Sequence, residues 1–417
     1  MNILDLVKEK FSYTLQMRRH FHEYPETGPE EQIHTMEMIE KQLDEMQIPY
    51  TRVPGGGILG YIEGWEKEKT LLLRADMDAL PIQESESNLT QRKSCVSKIP
   101  GVMHGCGHDG HVAMLLTTAM LLKEMQSELK GSVILMFEEG EEGHMNVEKL
   151  CKFLGQQPGK IDGCYASHVR WDIPAGKVSC CQKTALSGNY HFLLKIQGKG
   201  GHGSRPDMAH SVIDCFQEIY ADMETLRMRY VRPDTSLTWS IGSLHAGSRF
   251  NLIPDELECE GSIRMMERQS GADFFHEFER ILSAVCPLNY CTYDLDVVES
   301  LLPVINHPAC RDTYLKAVTR NMGADALFEC EPWMASETFS YLCNMYPGVE
   351  SFVGIRNEEL GSGANHHTPE FDMDEEGLMY GVAATVSYVL AFFDNPPDTT
   401  DFKPICNSMD ELISMLH

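Results

Sequence analysis

An α/β fold carrying a second, inserted domain is predicted by three features of the sequence. Short apolar runs alternate with helix-period segments over the first 166 residues and again after residue 300, as in a parallel sheet with crossover helices. Between these stretches the texture changes to strands and helices of a separate, smaller α+β unit. Polar clusters also follow the apolar runs repeatedly, and ligands of α/β sheets collect beyond the carboxyl ends of the strands.

Leu4, Val7, Phe11 and Leu15 stand at helical spacing within 3–22, and Ile33, Met36, Ile39 and Leu43 repeat it within 31–46. Strand-like runs follow at Ile58–Ile62 and at Thr70–Leu73, the latter leading into Arg74-Ala75-Asp76. Next come a helix over about His111–Met125, a strand at Ser132–Phe137, a short helix near Val147–Leu154 and a strand at Cys164–Ala166. From about Tyr190, HFLLKIQGKGGHGS, a helix near His210–Arg229, TSLTWSIGSLHAG, ELECEGSIRMM and TYDLDVVES make up the inserted unit. The first texture returns with a helix at about Ala309–Met322, a run at Gly348–Gly354 and a long helix from Glu375 to Phe393. These segments place the main domain at 1–185 and 298–395, the insertion at 186–297 and a loosely structured tail at 396–417.

The chain has 417 residues and a formal charge of −27, so its length favours more than one core. The negative charge argues against nucleic acid, whose affinity comes largely from Lys and Arg neutralising phosphates, and against an anionic membrane surface. No apolar run approaches the ~20 residues that span a bilayer, and MNILDLVKEKFSY lacks the apolar core of a signal peptide. A cytoplasmic protein is expected. Its 14 cysteines are scattered through a long chain without a CxxC pair, which favours reduced thiols. Adjacent Cys180 and Cys181 are expected to be small residues at a strand edge.

Four clusters carry chemistry. In Gly105-Cys106-Gly107-His108-Asp109-Gly110-His111, a thiol and an imidazole two residues apart can enter one cavity as metal ligands. A buried thiol beside a surface histidine explains the same residues. Asp109 could orient an imidazole, whereas His104 and His111 are expected to be bystanders. Glu138-Glu139-Gly140-Glu141-Glu142-Gly143 holds four carboxylates in five positions. Such a run is commonly a solvated loop, but this one directly follows an apolar strand. Neighbouring glutamates there can divide two roles, one ligating a metal and the other acting as base. His168 and the pair His366-His367 follow further strand-like runs. Together the four clusters favour a metal site.

The strings RRHFHEYPETGPEE (Arg18–Glu31), RADMDALPI (Arg74–Ile82), MHGCGHDGH (Met103–His111), the EEG that ends at Gly143, GKGGHGSRP (Gly198–Pro206), NLIPD (Asn251–Asp255) and HHTPEFDMDEE (His366–Glu376) occur in this order. Over about residues 15–390 the chain resembles the metal-dependent amidohydrolases that include bacterial N-acyl-amino-acid deacylases, hippurate hydrolases and plant indoleacetyl-amino-acid hydrolases. The resemblance implies a zinc-exopeptidase-like catalytic domain with a mixed, largely parallel sheet, an inserted lid or dimerisation domain, and a homodimer. It also implies two divalent metal ions per subunit, Mn²⁺ or Zn²⁺, with Co²⁺ or Ni²⁺ as possibilities. By the same resemblance Cys106 bridges the metals and His108, Glu142, His168 and His367 complete the ligands. Glu141 is the general base and His202 stabilises the oxyanion, often from the partner subunit. Asn251 and Arg264 contact the substrate carboxylate, although Arg264 could equally be an exposed strand residue.

The chain departs from the family pattern in two places. Glu138-Glu139-Gly140 replaces a Gln-Pro-Ala-like stretch, which is expected to make the loop more acidic and more flexible. Thr338 stands where an aspartate is common, between Glu337 and Phe339, so one hydrogen bond near the site is expected to differ. The function implied is hydrolysis of the amide of a small N-acyl amino acid. A dipeptidase or aminoacyl exopeptidase of the same superfamily, and a catalytically silent ligand-binding homologue, are the alternatives.

Overall fold

A seven-stranded mixed sheet organises the first of two units in the computed structural model, which describes residues 3–28, 32–66, 68–143, 146–157 and 159–416. The last three residues of the N-terminal motif, 29–31, fall outside this description. Unit one comprises Met1–Ala185, Ile305–Pro332 and Tyr341–Ile413; unit two comprises Leu186–Val304, Trp333–Ser340 and Ser414–His417.

In unit one the strands lie in the order Tyr50–Val53, Gly57–Glu63, Ser132–Glu138, Thr70–Asp76, Gly163–Pro174, Gly348–Arg356 and Val178–Ser179. The four strands from Ser132–Glu138 to Gly348–Arg356 run parallel to one another, and the outer pairings are antiparallel. Near-continuous burial along Leu71–Asp76 and Gly348–Ile355 reflects a sheet covered on both faces. The strand expected at Cys164–Ala166 extends from Gly163 to Pro174. His168 therefore lies within a strand, opposite Phe352, rather than after it. Polar residues interrupt its second half, so no continuous apolar run marks the strand there.

Helix Ile3–Glu23 buries Val7, Met17 and Phe21, and its Thr14 hydroxyl meets that of Thr117 at 2.9 Å. Glu26 accepts the Thr35 amide at 2.8 Å in the first turn of helix Ile33–Glu45, supplying an acceptor for an otherwise unpaired helix-end donor. Helix His108–Glu124 is buried along almost its whole length and shows no single apolar stripe. Gly377–Asp394 is, among the described residues, a helix long and apolar enough to cross a membrane, where no such run was expected. Most of it is buried against helices Ile3–Glu23, His108–Glu124 and Pro308–Met322 and strand Gly348–Arg356. The tail expected to be loose ends in helix Met409–Met415, with Met409, Leu412 and Ile413 buried.

Unit two is a four-stranded antiparallel sheet in the order Leu237–Ala246, Glu256–Met265, Gly188–Gln197 and Thr292–Leu301. Burial alternates along Gly188–Gln197, so Phe192, Leu194 and Ile196 face the core while Lys195 faces out. Helices Val212–Arg229 and Arg268–Leu288 contribute Ile219, Met223, Phe274 and Phe278 to that core. The Ser211 side chain caps the first of them by accepting the Asp214 amide.

Candidate active site

The parallel strands of unit one deliver their polar ends to one place. Asp76 closes one strand with Asp78 just beyond it, Glu138 closes the next and leads to Glu141 and Glu142, and His168 projects from the third. Helix His108–Glu124 starts at the same end, introduced by Gly107 at φ 89°, in the left-handed region that favours glycine. A Cβ on Gly107 would lie 2.4 Å from a Val169 methyl, so the turn presenting Cys106 and His108 requires glycine there.

Ligand atoms of Cys106, Glu142 and His367 lie within 4.8 Å of one another, as do those of His108, Glu141 and Glu142. The two groups share Glu142, the arrangement of a dinuclear metal-binding site. His168 Nδ1 donates to the Val169 carbonyl at 2.6 Å, which fixes the tautomer and turns the Nε2 lone pair towards Cys106 Sγ, 3.6 Å away. Burial, followed by repulsion from His111 and His366, holds the His168 pKa well below its ordinary value, so the ring is neutral as a ligand must be.

His367 adopts φ 61°, strained backbone for a residue with a side chain. Its amide donates to the Gly105 carbonyl at 2.9 Å, tying this loop to the Cys106 turn, and its Nε2 lies 3.0 Å from Glu142 Oε1. His366, its neighbour, is buried with its ring against those of His168 and Phe371.

The donor set fits divalent transition metals on two counts. Thiol, imidazole and carboxylate together suit ions of borderline softness. Moreover, among the described residues His108 Nε2 is buried without a hydrogen-bond partner, with the Asp76 carboxylate 3.5 Å away. Burial alone would lower the pKa of this ring, yet the Asp76 charge, the bond to Asp78 and the Asp78 and Glu142 charges raise it to about 10. A pocket this acidic calls for positive charge. Glu142 answers in kind: burial would raise its carboxyl, but the His367 contact and the His108 charge keep it below the usual value.

Asp78 holds the pocket together, a role missed in the sequence. Its Oδ1 lies 3.1 Å from His108 Nδ1, and its Oδ2 accepts the Glu142 amide at 3.0 Å. His111, expected to be a bystander, is fully engaged. Its Nδ1 donates to Asp76 and its Nε2 accepts the Val169 amide at 2.9 Å, and its ligand atoms lie within 4.8 Å of those of Asp76, His108 and His168. The three-residue spacing of His108 and His111 on a helix was the available signal, since such positions share a face. His104 is buried and its pKa is driven by burial to about 3, so it stays neutral.

Asp109 is engaged by residues of the N-terminal helix. It forms an ion pair with Arg18, whose Nε lies 2.9 Å away, and meets His22 Nδ1 at 2.8 Å, while His22 Nε2 reaches Glu84 at 3.0 Å. The N-terminal Arg-Arg-His-Phe-His run thus anchors the start of the site helix. Glu138 and Glu139 are buried rather than part of a flexible acidic loop. Glu138 receives the Arg74 guanidinium at 2.6 Å, and Glu139 accepts the Gln32 amide at 2.9 Å.

In unit two, His202 and Leu252 are paired in a two-stranded ribbon, and the Asn251 carbonyl accepts the Gly203 amide at 2.9 Å. His202 is exposed. Its Nδ1 accepts the Ser204 amide at 3.1 Å, so its Nε2 carries the donor proton. Arg264 belongs to the four-stranded sheet and is partly buried, donating to Ser336 rather than standing free on a strand. Buried Thr338 donates to Glu337 at 3.3 Å.

Comparison with known proteins agrees with this architecture. IAA-amino acid hydrolase ILR1-like 5 of Arabidopsis thaliana is 33% identical over 394 residues, covering 93% of this chain and 88% of that protein. The crystal structure of a putative aminohydrolase from methicillin-resistant Staphylococcus aureus is 28% identical and superposes with a TM-score of 0.86, covering 94% of this chain and all of that one. The Bacillus subtilis YXEP protein, described as a dinuclear metal binding peptidase from the M20 family, is 26% identical with a TM-score of 0.80, covering 93% of this chain and 99% of that one. The family model for peptidase family M20/M25/M40 matches residues 72–391, and the chain is a metal-dependent hydrolase belonging to that family.

Proposed function

We propose that this enzyme hydrolyses the amide bond of N-acyl amino acids, releasing a carboxylic acid and a free amino acid. One observation carries the assignment: adjacent Glu141 and Glu142 share a donor group with His108, so one carboxylate can ligate while its neighbour handles a proton. Cys106, His108, Glu142, His168 and His367 would hold two divalent ions, Mn²⁺ or Zn²⁺ by preference and Co²⁺ or Ni²⁺ as substitutes. Bound there, the ions supply Lewis-acid polarisation of the amide carbonyl and acidify water. Glu141 accepts the proton of the attacking water and passes it to the departing amine nitrogen. His202 donates its Nε2 proton as a hydrogen bond to the oxyanion. Asn251 and Arg264 bind the substrate carboxylate. The protein acts as a homodimer through unit two, where Phe250, Leu244 and Leu252 expose apolar surface.

The plant relative's named activity on an amino acid conjugate supports this substrate class. The test is a panel of N-acetyl, benzoyl, fatty-acyl and indoleacetyl amino acids together with dipeptides, applied to protein stripped by a chelator and reloaded with each metal. Activity on acyl amino acids that needs the added metal is expected. Turnover of dipeptides alone would move the enzyme to the exopeptidases, and full activity in stripped protein would overturn the metal assignment.

A further inference from the structure

Two cysteines outside the metal-ligand set face each other in unit one. Val178 and Leu327 form a parallel bridge, reinforced by the Phe328 amide donating to the Val178 carbonyl at 2.9 Å. Three residues further along both segments stand Cys181 and Cys330, with their sulfurs 3.9 Å apart. The gap to a disulfide bond is about 2 Å. Cys181 is buried and Cys330 half-buried.

Their surroundings differ in kind. Arg170 Nη1 lies 3.5 Å from Cys330 Sγ and also donates to the Glu331 carbonyl at 2.7 Å, while Ser179 Oγ lies 3.0 Å from the same sulfur. The hydrogen bond from Cys181 lowers the Cys330 thiol below its ordinary pKa against the opposing effect of burial, helped by Ser179 and the Arg170 charge. The same contact, with burial, pushes Cys181 up. One sulfur is thus favoured as the thiolate and its neighbour as the thiol, the division of roles between an attacking and a resolving cysteine.

We propose that Cys330 and Cys181 form a reversible redox site that takes hydrogen peroxide or a small hydroperoxide as oxidant. The Cys330 thiolate attacks a peroxide oxygen; the O–O bond breaks, sulfur becomes sulfenic acid, and the released hydroxide is protonated to water. Cys181 then attacks the Cys330 sulfur, forming the disulfide and releasing the hydroxyl as a second water. Two thiols and one hydrogen peroxide give one disulfide and two waters. Low-molecular-weight thiols reverse the step by exchange and are themselves oxidised.

The test uses the full-length, metal-loaded enzyme, treated with stoichiometric hydrogen peroxide and then mapped by differential alkylation and peptide mass spectrometry. A Cys181–Cys330 cross-linked peptide that disappears on thiol treatment is expected. Before oxidation, Cys330 should react with iodoacetamide at neutral pH about tenfold faster than Cys406, the other half-buried cysteine, whose thiol burial pushes up. Cys181→Ser should halt Cys330 at the sulfenic acid, trapped by a dimedone probe. Equal alkylation rates in the unmodified protein, oxidation of Cys330 straight to sulfinic acid without a cross-link, or a disulfide that uses other cysteines would each overturn the proposal.

Discussion

His108 Nδ1 lies 3.1 Å from Asp78 Oδ1, and this contact leaves His108 Nε2 buried with no hydrogen-bond partner among the described residues. The opposite oxygen of Asp78 carries the Glu142 amide, so one carboxylate orients two of the proposed ligands.

Asp78→Ala should therefore lower metal affinity by about 10–100-fold, the usual cost of removing an orienting partner of a ligand. Titration of the stripped variant with Zn²⁺ or Mn²⁺, followed by calorimetry, measures it directly. Circular dichroism reports whether the fold survives. Unaltered affinity in a folded variant would show that Asp78 does not position the ligands.

Glu141 and Glu142 should separate by their defects. Glu141→Gln keeps the size and polarity of the side chain but removes the base, so turnover should collapse while bound metal stays near the wild-type level. Glu142→Gln should reduce metal occupancy. Elemental analysis beside kinetics decides the case: the reverse pattern swaps the roles, and activity in both variants removes them.

For His202, substitution by alanine should reduce kcat by about 10²–10³-fold, the scale of one lost oxyanion donor, with metal content unchanged. Mixing His202→Ala with Glu141→Gln distinguishes a shared from a self-contained site. If His202 serves the partner's site, hybrid dimers regain activity because each contributes what the other lacks. No recovery, once native mass spectrometry has shown hybrids, places each site within one chain.

Glu84 offers a test of the network behind the site through its pH dependence. Burial would raise its pKa, but the His22 hydrogen bond and charge, the Ser97 amide and Lys93 lower it to about 2. A carboxyl depressed in the folded state stabilises above its unfolded pKa, and that stability is lost as pH falls through the folded value. The contribution should be complete above about pH 4.5, on the order of 3 kcal/mol, and fade towards pH 2. Glu84→Gln should accordingly be less stable than wild type in urea unfolding at pH 6, with the gap narrowing at pH 3. A gap independent of pH would mean that the charge of Glu84 is not what the network uses.

The α/β class, the inserted unit and the clusters around Cys106, Glu141, His168 and His367 were all legible in the sequence. Apolar periodicity is local, and each cluster is a short run of ligand-type residues visible in the sequence. Local patterns could not reveal partners distant in the chain. Asp78 meets His108 across 30 positions and Glu142 across 64, and His111 spends both nitrogens on Asp76 and Val169. Asp109, adjacent to His108, instead serves Arg18 and His22 from a helix 87 positions or more away. Glu138 and Glu139 were expected to make their loop more acidic and more flexible because composition does not reveal burial, and Arg74 and Gln32 supply the compensating bonds only once the sheet has formed. The chemistry available to this protein is thus determined by which residue types the sequence carries. Which of them ligate, which orient and which merely fill space is decided by the fold, because a buried polar group must be hydrogen-bonded or paired, and only the tertiary structure determines with whom.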